Sequence, residues 1–342
     1  MLQGHTFHSF LHKDLREGDL YVLSQFLGGL PAPIFLFLTG VTMALMLDGK
    51  ERRGIDAMGR FAAALRRAGY LLLLAFAVRL QAYLFSVPWS KMGDLLRVDI
   101  LNCMGVSLAV LSVSAFFSTQ ERVKWGLLCG VAFACLAPLV SAVSWEGQPE
   151  LLRAYLAPSH EVFGLFPWAA FVAFGIAFGS MIRLTPKASL NRFLQWTALV
   201  AFGIIATAGY FSFIPYSIYR NVNFWVDSPG LVFIKVGVIL LLVTFGYLWL
   251  TYLPSRRPSF LTLLGTSSLL VYWLHLEIVY GRWFWFWKLK LSIAETMVFS
   301  LLLVAGMCLA AWAWRRKDAL QPALRRLGTR LGIASRAPEA ES

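Results

Sequence analysis

Five histidines occur in 342 residues, and three of them crowd the start of the chain. His5, His8 and His12 follow an i, i+3, i+7 spacing, which places them on one face of a helix. Imidazole changes charge near neutral pH, so such residues serve as acid–base groups or metal ligands. Three imidazoles suit zinc, but only Asp14 is nearby as a fourth donor, and no metal is expected. Surface histidines and a chemical role for His5 both fit the segment. His275 lies in LGTSSLLVYWLHLEIVYG, Leu264 to Gly281, a stretch apolar enough to cross a bilayer. An ionisable side chain there is costly and by default has a partner and a function. Glu277 is two residues on and so points to a different helix face.

Other polar residues share that depth. At ~1.5 Å per helical residue, His275 lies roughly 9 Å below the outer end of its helix, Arg79 roughly 12 Å and Lys235 roughly 9 Å. Asp99 and Asn102 begin another apolar stretch at its outer end, and His5 sits where a first helix would emerge. Each has a plain structural reading: an Arg79–Asp99 ion pair, Lys235 snorkelling to headgroups, His275 hydrogen-bonded in a core. A polar cavity opening outward explains the whole set with one assumption.

The elements that must position these residues are membrane helices. The chain is 58% hydrophobic and only 14% charged, with its apolar residues in long blocks. Nine blocks are near the ~20 residues needed to cross the hydrocarbon: 25–47, 69–87, 99–118, 124–143, 163–182, 193–214, 230–252, 260–281 and 292–314. The expected fold is therefore an all-α polytopic helix bundle with nine full spans and an N-terminal partial helix. Residues 1–314 form the membrane domain, and 315–342 a basic, disordered tail.

Loop charge alternates. Lys50, Arg52, Arg53, Arg60, Arg66, Arg67, Arg122, Lys124, Arg183, Lys187, Arg192, Arg256, Arg257, Arg315, Arg316 and Lys317 fall in one set of loops. Glu146, Glu150, Glu161 and Asp227 fall in the other, with Trp89, Trp145, Trp225, Trp283, Trp285 and Trp287. The positive-inside rule makes the basic set and the C-terminus cytoplasmic, and the tryptophans an outer interfacial belt. Arg282, Lys288 and Lys290 dissent mildly. This topology leaves Met1 outside, and the preferred explanation is that Met1 lies inside a first helix. Residues 48–67 include an Ala/Arg-rich half suited to the membrane surface. The net charge of +13 is accounted for by loops and tail that meet anionic lipid; no folded basic module points to nucleic acid. Cys103, Cys129, Cys135 and Cys308 lie in apolar segments without metal spacing and read as free thiols.

Six stretches, QGH (Gln3–His5), PAPIFLFLTGV (Pro31–Val41), RVDILNCMG (Arg97–Gly105), FPWAAFVAFG (Phe166–Gly175), SPGLVFIKVG (Ser228–Gly237) and LGTSSLLVYWLH (Leu264–His275), together resemble the catalytic domain of the heparan-α-glucosaminide N-acetyltransferase family, within the transmembrane acyltransferase superfamily. That family usually opens with a helix bearing an Asp/Arg-Gly signature, and this chain begins at the step that follows it. The resemblance implies transfer of an acetyl or other acyl group from cytosolic acyl-CoA to an amine or hydroxyl of a sugar or glycan on the outer side. The expected location is the bacterial inner membrane, with a homodimer as a compatible assembly.

In that chemistry His5 or His275 is the general base. Asp99 orients a histidine or binds sugar hydroxyls, and Asn102 adds a hydrogen bond. Arg79 or Lys235 stabilises the oxyanion or holds an anionic substrate group. Direct transfer and an acyl-histidine intermediate use the same residues. The alternatives are a transporter of a small polar solute and a membrane sensor without chemistry. A transporter built on repeated halves would carry paired broken helices.

Overall fold

The computed structural model describes residues 1–87, 91–159, 162–214, 218–252 and 260–316. Trp89, Glu161, Arg256, Arg257, Lys317 and the predicted tail lie outside these residues, the tail's Arg315 and Arg316 excepted. The helices are α1 (Leu2–Phe10), α2 (Asp19–Gly29), α3 (Pro31–Glu51), α4 (Ala57–Phe85), α5 (Met92–Leu95), α6 (Ile100–Leu111), α7 (Thr119–Ala142), α8 (Glu150–Leu156), α9 (Leu165–Leu184), α10 (Leu190–Phe213), α11 (Pro229–Tyr252), α12 (Phe260–Thr266), α13 (Ser268–Tyr280) and α14 (Ile293–Arg315). The protein is an all-α polytopic helix bundle. Among the described residues, seven helical stretches are long and apolar enough to cross a membrane, or eight if the bent pair α12–α13 counts as one span.

Two of the nine predicted spans differ in form. The stretch 99–118 gives only the twelve-residue α6, followed by a 3-10 segment at Ser112–Phe116. Ser112 starts that tightening by donating its hydroxyl to the Ala109 carbonyl oxygen at 2.6 Å. The stretch 260–281 breaks at Ser267, where α12 and α13 meet at 85°. The break falls in the run Gly265-Thr266-Ser267-Ser268, and the Thr266 hydroxyl reaches back to the carbonyl oxygens of Thr262 and Leu263. Small hydroxyl residues that bond their own backbone are a known cause of helix bends.

The described residues separate into two compact units. The first comprises α3 to α11. Its axis is α9, whose side chains from Ala169 to Ser180 are all buried. Glycines let the neighbours approach it. A methyl group at Gly40 would strike the Val172 carbonyl oxygen, and one at Gly175 the Phe37 carbonyl oxygen. Gly126 of α7 lies equally close to Ala173 and Ala177. Small residues at such contacts give helices in lipid the close packing that holds them together. Gly105 seats α6 against Leu72 of α4, and Gly237 seats α11 against Ala201 and Ile205 of α10.

Helix starts follow the capping rules. Asp56 caps α4, and Ser118 with Glu121 forms a capping box on α7. At the end of α3, Asp48 is buried and receives Arg183 Nε at 2.6 Å, Arg52 Nε at 3.0 Å and the Thr119 hydroxyl at 3.2 Å. Arg122, with no exposed surface, pairs with Glu51 and donates from Nε to the Phe117 carbonyl oxygen. These contacts fasten together the ends of α3, α7 and α9.

The second unit combines the segment Leu2–Gly28 with α12, α13 and α14. Phe10, Val271, Val279, Leu303, Met307 and Ala311 form its buried core. Gly4 and Gly28 meet so closely that a side chain on either would strike the other's backbone. Beyond α1 the chain is tied to the segment before α14. Leu289 and Leu291 donate their N–H groups to the carbonyl oxygens of Ser9 and Phe10, and His12 donates to that of Leu291. The Ser9 hydroxyl donates to the Val279 carbonyl oxygen at 2.9 Å. Ser292 and Glu295 then cap α14.

Candidate functional site

α1 and α13 bring His5 and His275 together within the second unit. His5 Nδ1 lies 3.0 Å from His275 Nε2, and the rings stack with centroids 5.1 Å apart. His275 is fully buried, while His5 is half-buried. The remaining nitrogen of His275, Nδ1, lies 2.7 Å from the Val271 carbonyl oxygen, one turn earlier on α13.

These contacts assign the tautomers. A carbonyl oxygen only accepts, so His275 Nδ1 carries hydrogen and donates to Val271. Neutral His275 therefore presents a bare Nε2, which accepts the N–H of His5 Nδ1. His5 in turn is left with its lone pair on Nε2, which has no partner among the described residues. The relay thus runs from a main-chain oxygen through a buried imidazole to one basic nitrogen. A base oriented by a second group, itself fixed by a third, is the general logic of an activated proton acceptor. The Tyr280 ring borders His5 edge-on with centroids 5.3 Å apart, and Tyr272 borders His275 at 5.8 Å.

The other N-terminal histidines do not join them. His8 is exposed beside Tyr280, and His12 lies past the end of α1, where its Nδ1 accepts from the Asp14 N–H at 3.4 Å. The i, i+3, i+7 face therefore stops at His8.

Arg79, Asp99, Asn102 and Lys235 belong to the first unit. Arg79 Nε meets Asp99 Oδ2 at 3.1 Å. Asp99 Oδ1 accepts the N–H groups of Leu101 and Asn102 at 3.0 and 3.3 Å, and Asn102 Oδ1 accepts the Asp99 N–H at 3.2 Å. This is a reciprocal capping box on α6 with Asn in place of the usual Glu or Gln. Asn102 Nδ2 donates to the Tyr155 hydroxyl of α8 at 3.1 Å. The group binds α4, α6 and α8 to one another, and every polar atom of Asp99 is engaged.

Lys235 stands apart from that cluster. Its Nζ lies 5.5 Å from the ring centroid of Trp168 on α9, a cation–π contact, and it forms no ion pair among the described residues. Sequence reading missed Trp168, Tyr155 and Tyr280. Trp168 sits in the FPWAAFVAFG stretch, but nothing in its spacing marks Lys235 as its neighbour.

The family profile described as "Heparan-alpha-glucosaminide N-acetyltransferase, catalytic" matches residues 1–221. The chain belongs to this family. The match includes His5, Arg79, Asp99 and Asn102 and ends before Lys235 and His275, so geometry alone joins His275 to the family's region. Membership makes the protein a transmembrane acetyltransferase and points to acetyl-CoA as the co-substrate of this heparan-α-glucosaminide N-acetyltransferase-like chain. Comparison with curated proteins and with solved structures returns no match.

Proposed function

We propose that the protein takes an acetyl group from cytosolic acetyl-CoA and delivers it to an amine or hydroxyl of a sugar on the outer side of a bacterial inner membrane, with the C-terminus in the cytoplasm. The observation that carries this reading is the Val271–His275–His5 relay ending at the open Nε2 of His5. As the acceptor nitrogen or oxygen attacks the thioester carbonyl carbon, His5 Nε2 takes its proton. The carbon–sulfur bond breaks, and the proton passes to the departing thiolate, giving CoA thiol and the acetylated sugar. His275 is a positioning residue: it holds His5 in the useful tautomer and spreads the charge of the imidazolium that forms.

In the first unit, Lys235 beside Trp168 is proposed to hold an anionic or sugar part of a substrate. Arg79, Asp99 and Asn102 are proposed to hold that unit's helices rather than the substrate, since Arg79 Nε and the polar atoms of Asp99 and Asn102 bond to one another, to the main chain and to Tyr155. Against a transporter built on repeated halves stands the single bent helix pair, α12–α13, among the described residues.

The test is acetyl transfer in reconstituted vesicles, with labelled acetyl-CoA on one face and glucosamine enclosed on the other. Labelled N- or O-acetyl product that disappears in His5→Ala supports the reading. Glucosamine crossing without acetyl-CoA and without product would overturn it in favour of transport.

A further inference from the structure

A cleft of about 550 Å³ opens on the first unit between α7, the end of α9 and the start of α10. Lys124 and Arg192 line it with Ser189, and Met181, Leu184 and Phe193 form an apolar wall. Among the described residues, no carboxylate lines it. Neither cation forms an ion pair among the described residues, and Glu121, one turn before Lys124, is turned back onto the Ser118 N–H at 2.8 Å. The cleft lies where α9 ends and α7 and α10 begin, which is the depth of phospholipid headgroups.

We infer that this cleft holds one anionic phospholipid, its phosphate on Lys124 and Arg192 and its acyl chains along Met181, Leu184 and Phe193. Basic pockets between helices that continue into an apolar wall match both ends of such a lipid. Free phosphate or a nucleotide pyrophosphate would use the cations and leave the wall idle. The position also gives the lipid a structural effect. α10 meets α9 through Phe193 against Phe178, with centroids 5.9 Å apart. A lipid seated beside that contact fills the wedge at the root of α10, and through Gly237 it steadies α11, the helix that carries Lys235.

The experiment measures lipid retained by the purified full chain in native mass spectrometry, after exchange into phosphatidylglycerol or phosphatidylcholine with identical chains. Two surface cations at the usual strength give roughly a 30-fold preference for the anionic lipid. The expected result is one retained phosphatidylglycerol and a higher unfolding temperature than with phosphatidylcholine. The preference should vanish in Lys124→Gln/Arg192→Gln and persist in Arg53→Gln/Arg66→Gln, which removes two exposed cations elsewhere. The charge-keeping pair Lys124→Arg/Arg192→Lys should retain it, which controls for loss of folding in the first variant. Equal retention of both lipids would overturn the inference, as would unchanged preference in Lys124→Gln/Arg192→Gln. Displacement of the lipid by inorganic pyrophosphate or by CoA would also overturn it, because the site would then be one for soluble phosphates. None of these outcomes depends on acetyl transfer.

Discussion

The His5–His275 pair and the Arg79–Asp99–Asn102 group are both polar clusters buried among apolar helices, yet they end differently. In the second, each acceptor and donor of Asp99 closes on a neighbour: the guanidinium of Arg79, two main-chain N–H groups and the Asn102 side chain. In the first, the hydrogen-bond chain is closed at Val271 and open at His5 Nε2. Burial of polar groups is expensive in either case, and satisfied groups repay it with rigidity. Only a cluster with one atom left over can exchange a proton with something else. Depth in the membrane, which both clusters share in the sequence, does not distinguish them; the count of unused atoms does.

The largest effect should come from the open end. His5→Ala should lower acetyl transfer by about 10²- to 10⁴-fold, as loss of a general base does, with about 1 kcal/mol of stability lost as the buried His275 Nε2 loses its partner; full activity would abolish the contrast. Asp99→Ala should do the reverse. Loss of the cap and of the partner of Arg79 should cost about 2 kcal/mol of stability in denaturant unfolding, with little change in turnover per folded molecule. A specific loss of turnover at full stability would move Asp99 into the reacting site. His275→Gln keeps an acceptor oxygen for His5 Nδ1, so transfer should fall only about tenfold and its pH profile should shift. A profile identical to that of the unaltered protein would show that His275 does not tune the base. Tyr155→Phe removes one hydrogen bond to Asn102 and should cost about 1 kcal/mol, read as a small drop in unfolding temperature and none in transfer rate.

Much of the fold was legible. Long apolar blocks revealed the helices, and Ser118-x-x-Glu121 and Ser292-x-x-Glu295 are capping boxes that can be read directly. The short α6 and the bend at Ser267 were less so, because hydropathy averages over a Thr-Ser-Ser run that breaks the helix through its hydroxyls. At the site, the sequence singled out His275 by its cost in an apolar stretch and His5 by its place where a first helix would emerge, but left open which is the base. That choice rests on the Val271 carbonyl oxygen, a main-chain atom without any signature in side-chain types. Likewise the Asp99-x-x-Asn102 pattern carries the cap, whereas Tyr155 and Trp168 become neighbours only through packing of distant helices.

The tie between α1 and the segment before α14 has a consequence for biosynthesis. His5 is made before the whole first unit, and its partner lies 270 positions later. The strap from Leu289 and Leu291 that secures the end of α1 is made later still. Contacts this distant in sequence cannot form until the chain between them has been laid into the membrane. α1 must therefore wait, without α13, through the insertion of the whole first unit. A ribosome product that stops before Leu289 lacks the strap as well as α14. Under the proposed mechanism, the open nitrogen of His5 thus reaches its final setting only once α13, the strap and α14 are in place.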